Sequence, residues 1–499
     1  MASEIRVNKI ENRSGLGTVT FADTGVDLAG IVTATTFSGS GASLTNLPAA
    51  SLTGTVADAR FPATLPAASG ANLTNLPAAN LTGALPAISG ANLTGIAATD
   101  NVRTGILDVA GVSTFRNTMN VGAAVTISES GIEASGIGIT CASINGTQIG
   151  GRRNLSINGA CEVAQRGTSS TTYGYGSVDR FAVYYYGHNE APTHSQVDVS
   201  SGTSPYSEGF RKALKVTNGN QTSGAGAAQF MQIQHKFEAQ DIAKSGWNYT
   251  SASSFITVQF WVKASVAQTY YIYLRAYDGT SQRYYFPFSL SADTWTKVVK
   301  TIPGNSNLQF DNDANQGFHI NFGIWYGTDY TASGTNAETW EAYASSTRLP
   351  DMTSTWWTTN DATFEITGVQ LEVGSQATPF EHRSFGEETH LCERYYRRDD
   401  ADGVVYYRFA QGQCTSSSGT QYVVKFPVRM RAAPTFASSG TITAYTVNSQ
   451  KSTSSIGIND ATTQGCIVSA TASGLSAGNC VDLIAGDDGN AYVEYIAEL

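Results

Sequence analysis

The chain has 499 residues, enough for several domains and a sizeable core. Charged residues make up 14% of it, well below the roughly 25% of an average soluble protein. A net charge of −10 excludes the basic footprint that wrapping nucleic acid or holding an anionic membrane requires.

The opening MASEIRVNKIENRSG has no apolar centre, so no signal peptide is expected, and no stretch approaches the ~18 apolar residues of a membrane span. Synthesis in a cytoplasm without membrane insertion is the expectation. Six cysteines, at 141, 161, 392, 414, 466 and 480, form no CxxC and no closely spaced pair. Zinc sites want paired ligands, and disulfide scaffolds are short and Cys-dense, so free thiols are expected. Cys466 and Cys480 are the one pair to check.

In chain order, residues 1–39 read as short β-like phrases such as GTVTFAD. Residues 40–99 are a repeat zone. SGASLTNLPAASLTG at 40–54 returns almost unchanged as SGANLTNLPAANLTG at 69–83. The tetrad Ala-x-Leu-Thr begins at Ala42, Ala50, Ala71, Ala79 and Ala91, a spacing too irregular for a solenoid. Its prolines prevent a long helix. Its sparse leucines, such as Leu44, Leu52, Leu73 and Leu81, suit a shaft ordered only beside copies of itself; a disordered linker is the rival. Residues 100–153 are short Gly-punctuated β-runs, a stalk with Ile132, Ile137, Ile139 and Ile144 facing inward.

Residues 154–385 are taken as one domain, and between 180 and 373 alternation of period two is strong. In SFITVQFWVKAS, Ile256, Val258, Phe260 and Val262 share one face, and Thr257, Gln259, Trp261 and Lys263 the other. YYIYLRAYDG sets Ile272 and Leu274 against Tyr271, Tyr273, Arg275 and Tyr277. Many such strands with no helices between them predict an antiparallel jelly-roll β-sandwich. GEETHLCERYYRR, beginning at Gly386, reads as one short helix or strand and opens a β-rich tip over 386–499.

At this point the sequence resembles bacteriophage tail fibres. The resemblance lies in the LTNLPAANLTG repeats, in NLSINGACEVAQRGTSS followed by VDRF at 178–181, and in FEITGVQLEVGSQATPFEHRSFGEETHLCERYY at 364–396. IRVNKIENRSG and GIVTATTFSG are similar to fibres of phages of marine bacteria and cyanobacteria. It covers roughly residues 1–396 and implies an all-β, elongated homotrimeric virion protein. Other tail proteins would hold its N-terminus, and its distal domains would meet a host surface glycan or lipopolysaccharide through a carbohydrate-binding-like jelly roll. VDRF and PFEHR would be structural signatures.

Sugar recognition wants flat aromatic faces with polar side chains to fix orientation. Two groups qualify. Trp325, Tyr326, Tyr330, Trp340, Trp356 and Trp357 fall in what reads as long loops, and the two Trp of TSTWWTTND cannot both face one core in an extended chain. This group is preferred for ligand contact. The second is the non-core face with Trp261, Tyr271, Tyr273, Arg275 and Tyr277, for which packing against a neighbouring subunit or the second sheet is the alternative.

No HExxH or GxSxG accompanies the six histidines, and Glu338, Glu341, Asp351 and Asp361 offer loop carboxylates without a motif. No catalytic residue, cofactor or metal is assigned. Asp311 and Asp313 in DNDANQG only faintly suggest calcium. A glycan-binding tail fibre is expected; a tail-associated depolymerase and a purely structural fibre or adaptor are the alternatives.

Overall fold

The fold is seen in a computed structural model that describes residues 153–499 except residue 448, together with short stretches between residues 9 and 48 and between 119 and 148. The chain divides into two units, residues 1–114 and 115–499. In the first, β1 (Lys9–Glu11), β2 (Thr18–Ala22) and β3 (Gly25–Leu28) form an antiparallel sheet. The expected repeat shaft lies almost wholly outside the described residues, as do the side chains of the expected stalk isoleucines. The second unit begins with a small sheet of β4 (Met119–Val121), β5 (Val125–Ser128) and β6 (Gly131–Ala134). A hairpin of β7 (Ser143–Ile144) and β8 (Thr147–Gln148) follows.

The sandwich follows. Its strands are β9 (Ser169–Ser170), β10 (Phe181–Tyr186), β11 (Thr193–Asp198), β12 (Lys212–Thr217), β13 (Phe230–Glu238) and β14 (Phe255–Ala264). They continue with β15 (Gln268–Ala276), β16 (Gln282–Leu290), β17 (Thr296–Pro303), β18 (Gln316–Tyr326), β19 (Glu341–Ala342) and β20 (Thr363–Val373). Two six-stranded sheets result. Sheet I runs β10-β13-β18-β15-β16-β19 and sheet II runs β17-β14-β20-β12-β11-β9. The short helices α1 (Ser204–Ser207), α2 (Ala239–Ala243) and α3 (Thr355–Thr358) sit in connections.

Alternation decides what each strand buries. Ile256, Val258, Phe260 and Val262 of β14 meet Tyr270, Ile272 and Leu274 of β15 and Phe318, Ile320 and Phe322 of β18 in one core. Phe260 sits edge-on to Phe322 at 5.0 Å, the arrangement aromatic quadrupoles favour. Each such side chain contributes about 1.5–3 kcal/mol by leaving water.

The ends of the sandwich are tied together. The incoming segment follows the second half of β20: the Leu155 amide donates to Leu371 O at 2.8 Å and the Val369 amide to Gly159 O at 2.9 Å. A Cβ at Gly159 would lie 2.0 Å from Val369 O, so the approach requires glycine. The outgoing segment closes over the same point. Glu381 accepts the Asn154 amide at 2.7 Å, Glu388 accepts the Asn158 amide at 2.5 Å, and Arg383 donates to the carbonyls of Asn154 and Ser156.

GEETHLCERYYRR becomes both a helix and a strand. α4 (Phe385–Glu393) is capped by Ser384, whose hydroxyl accepts the Glu387 amide, and β21 (Tyr396–Asp400) follows it. Beyond lie β22 (Arg408–Cys414), β23 (Gly419–Lys425), β24 (Thr435–Ser439), β25 (Thr443–Thr446), β26 (Ser449–Thr462), β27 (Gly465–Ala472), β28 (Cys480–Ile484) and β29 (Tyr492–Ile496). Six of them close a barrel in the order β22-β23-β27-β26-β25-β28, beside a three-stranded sheet β21-β29-β24. Cys466 is buried, Cys480 is exposed, and both are free thiols.

Sandwich and barrel are joined by ion pairs. Glu238, fully buried, takes Arg394 Nε at 2.6 Å and Nη2 at 2.7 Å, with the Tyr395 hydroxyl at 2.7 Å. Burial alone would raise the Glu238 carboxyl, but hydrogen bonds from Arg394, Tyr395 and Gln240 outweigh it and hold the group below its usual range. Arg180 of VDRF pairs with Glu498 and lies 3.5 Å above the Tyr395 ring. Its neighbour Asp179 takes Gln165 Nε2 at 2.6 Å. VDRF and PFEHR are thus spent on internal bonding.

Candidate functional site

The preferred loop tryptophans are not a surface. TSTWWTTND is not extended there: α3 turns the chain, so Trp356 and Trp357 both reach the sandwich core at 0% exposure. Their indoles donate inward, Trp356 Nε1 to Thr363 O at 3.0 Å and Trp357 Nε1 to Gly224 O at 2.9 Å. Trp357 packs on Trp325 with centroids 4.8 Å apart. Trp325 and Tyr326 belong to β18 rather than a loop. A β-bulge opposite Met231 and Gln232 sends both Ile324 and Trp325 into the core and leaves Tyr326 on the outer face. Trp340 is also buried and donates to Pro303 O at 2.8 Å. Tyr330 is half-buried against Phe230 and Arg348.

The second candidate group divides. Trp261 lies on β14, in sheet II, while Tyr271, Tyr273, Arg275 and Tyr277 lie on or beside β15, in sheet I. They face away from the shared core on opposite sides of the sandwich. Trp261 is buried beside Phe210 and Ala213, with its indole donating to Glu208 at 3.1 Å. The sequence placed them on one face because alternation tells inside from outside but not which sheet a strand joins.

On the outer face of sheet I there is a groove of about 250 Å³. Its floor comes from three adjacent strands: Gln232, Gln234 and Lys236 of β13, His319 of β18, and Tyr273 and Arg275 of β15. Tyr173 and Tyr184 stand on one side; Tyr343 and Arg348 come from the connection between β18 and α3. That connection covers the neighbouring part of the face, where Leu349 packs on Tyr273, Tyr285 and Tyr326. A Cβ at Gly323 would come within 2.8 Å of Leu349 Cδ1, so this glycine lets the connection lie down.

The floor is a polar network. Gln234 Nε2 donates to Asn321 Oδ1 at 2.5 Å, and Gln232 Oε1 accepts from the hydroxyls of Tyr326 and, at 3.3 Å, Tyr273. Arg275 is held between two rings, 3.9 Å from the Tyr277 centroid and 3.5 Å from that of Tyr343. Its Nη1 donates to the Tyr277 hydroxyl at 3.0 Å and its Nε to Ser281 at 2.9 Å. Tyr277 in turn lies 4.2 Å from the His319 ring.

Burial, and then Lys236 and Arg275, hold the His319 imidazole well below the usual histidine value, so it is neutral at pH 7. Burial and Arg180 bring the Lys236 ammonium down to about 8, leaving it charged. Among the described residues no Asp or Glu lines the groove. Of its residues, sequence reasoning named Tyr273, Arg275 and Tyr277 and missed His319 and the β13 glutamines. The alternation of FMQIQHKFE, with Gln232, Gln234 and Lys236 on one face, was the signal available.

A larger opening of about 580 Å³ lies outside sheet II, lined by Glu208, Gln259, Lys297 and His382 among others. Its polar groups already answer one another. Lys297 pairs with Glu208 at 2.8 Å, Gln259 donates to Thr378 O at 2.6 Å, and His382 meets Glu208 O at 2.8 Å. The loop carboxylates are occupied too: Glu341 pairs with Arg283, Glu338 with Lys300 at 2.5 Å, and Asp351 accepts Thr331 at 2.7 Å. Asp361 sits in a turn at positive φ. Among the described residues no group of three or more His, Cys, Asp or Glu is placed to hold a metal ion.

No protein-family model and no curated protein matches the sequence. Solved structures do align. The enzymatically active domain of bacteriophage CBA120 tailspike protein 4 aligns over 44% of this chain and 21% of that chain, at 8% identity and a TM-score of 0.24. The N-terminal cellulose-binding domain of Cellulomonas fimi β-1,4-glucanase C aligns over 43% and 99%, at 13% identity and 0.21. An apo cyclase from Fischerella aligns over 46% and 98%, at 9% identity and 0.26.

Proposed function

We propose that this protein is a glycan-binding adhesion protein whose binding site is the groove on sheet I. One observation carries the reading: an open sheet face lined by tyrosines, with amide and cationic side chains held between them by hydrogen bonds. Pyranose rings stack on such aromatic faces, and fixed polar groups select their orientation. The lining supplies no acid pair, which a glycosidase would need across the scissile bond.

The sequence resemblance extends the proposal to a homotrimeric phage tail fibre that carries this site on a virion toward a host surface. Several weak sites on one particle would act together through effective concentration. The test is glycan binding by the full chain, with Tyr277→Ala and Tyr184→Ala in parallel. Binding that falls at least about tenfold in both variants, without release of reducing ends, is the expected result. Unchanged binding in both removes the groove; released reducing ends would establish a depolymerase instead. A mass measurement of the intact protein tests the trimer, and a stable monomer would overturn that part.

A further inference from the structure

We infer that the groove takes an acidic glycan, one bearing carboxylate, phosphate or sulfate groups, and that the anion sits over the Lys236–His319–Arg275 row. This rests on the glycan-binding reading of the same groove and adds the charge of the ligand.

The first support is register. Lys236 stands directly opposite His319, and His319 directly opposite Arg275. Side chains so placed on antiparallel strands are close neighbours, so two cations, Lys236 and Arg275, flank one neutral imidazole. The chain has 40 acidic residues against 30 basic ones, so carboxylates are not scarce, yet among the described residues no Asp or Glu side chain lines the groove. One strand further the row continues to Arg283, which faces Glu341 and pairs with it. The sheet therefore pairs Arg283 with a carboxylate where the groove has ended and gives Arg275 only neutral partners within it.

The partners of those cations are the second support. Arg275 is fixed by Ser281 and by the Tyr277 hydroxyl, whereas Lys236 donates to a terminal oxygen of Leu499 at 2.6 Å and also feels the Glu498 carboxylate. Arg348 lies 4.6 Å from the Tyr330 ring centroid. The neutral partners of Arg275 and Arg348 set position without cancelling charge, which leaves their field for a ligand.

His319 is the third. It is 1% exposed, borders the groove, and neither ring nitrogen has a partner. A buried imidazole with both nitrogens idle opposes folding, and a ligand oxygen at that point relieves it. The neutral ring donates from one nitrogen and accepts at the other, which suits an anionic oxygen beside a sugar hydroxyl.

The test is an array of acidic and neutral bacterial oligosaccharides probed with the full chain. Each acidic hit is then compared by titration calorimetry with its own carboxyl-reduced, dephosphorylated or desulfated form, which also tells which anion is read. The neutralised form should bind about tenfold more weakly or worse. Arg275→Gln and Lys236→Gln should impose a similar loss on the acidic form and leave any residual binding of the neutral form within about twofold. Added salt should weaken only the acidic form. Circular dichroism checks both variants, and the half-buried Lys236→Gln carries the comparison if Arg275→Gln does not fold. Neutral hits alone, or acidic hits that bind equally well once neutralised, overturn the inference and leave glycan binding standing. An array with no hits overturns both.

Discussion

The two outer faces of the sandwich solve the same problem in opposite ways. On sheet II, Lys263 faces Glu365 across β14 and β20 and pairs with it at 2.9 Å. The segment beyond β20 folds back over that face, so that Gln259, Gln370 and Glu372 bond to residues 378 and 381. On sheet I, Lys236 and Arg275 stand in register on either side of His319, this buried histidine keeps both nitrogens idle, and the face stays open. Opposite charges under a covering segment hold a fold together. A cation with only neutral partners and an idle buried imidazole do less for the fold, and they are the groups that the proposed ligand would answer.

The largest effect should come from the residues that looked most like a ligand surface and are core. Trp357→Ala opens a cavity and should destabilise the sandwich by about 3–5 kcal/mol, read from denaturant midpoints. Wild-type stability with lost glycan binding would reverse the contrast between buried tryptophans and open groove.

Next is the Glu238 clamp, a closed polar site unlike the groove. Glu238→Gln should cost about 2–3 kcal/mol, because Arg394 keeps its burial and loses its counter-charge. The carboxyl is held below its usual 4.5 in the folded state, so its contribution is complete above that pH and is lost as pH falls through the folded value. In Glu238→Gln that part of the acid sensitivity should vanish. An unchanged acid limb of the stability profile would dismiss the clamp.

His319→Leu should move the other way. Removing two unpartnered buried nitrogens should stabilise the protein by about 1 kcal/mol while weakening acidic-glycan binding. Thermal unfolding and calorimetry on one preparation check both signs, and a destabilised variant would show that His319 serves the fold. Smallest is Lys263→Ala on sheet II, expected to cost under about 1 kcal/mol and to leave binding unchanged.

Much of the sandwich was legible in the sequence. Period two gave the inward faces of β14 and β15, and it put Tyr273, Arg275 and Tyr277 outside, where they line the groove. It could not say that β14 and β15 belong to different sheets, because strand pairing is a long-range choice that alternation does not encode. The tryptophan pair was misread because α3 is four residues long, too short for helical periodicity to show. The basic row was invisible for a related reason. Lys236, Arg275 and His319 lie far apart in the chain, and only register puts them side by side.

The ends of the sandwich have a mechanical consequence. Residues 153–158 and 381–388 are bonded to each other at one point, through Glu381, Arg383 and Glu388. A pull applied to the chain on either side of the domain loads this joint before it loads any strand of sheet I. Tension along the chain can thus pass by the sandwich without opening its groove.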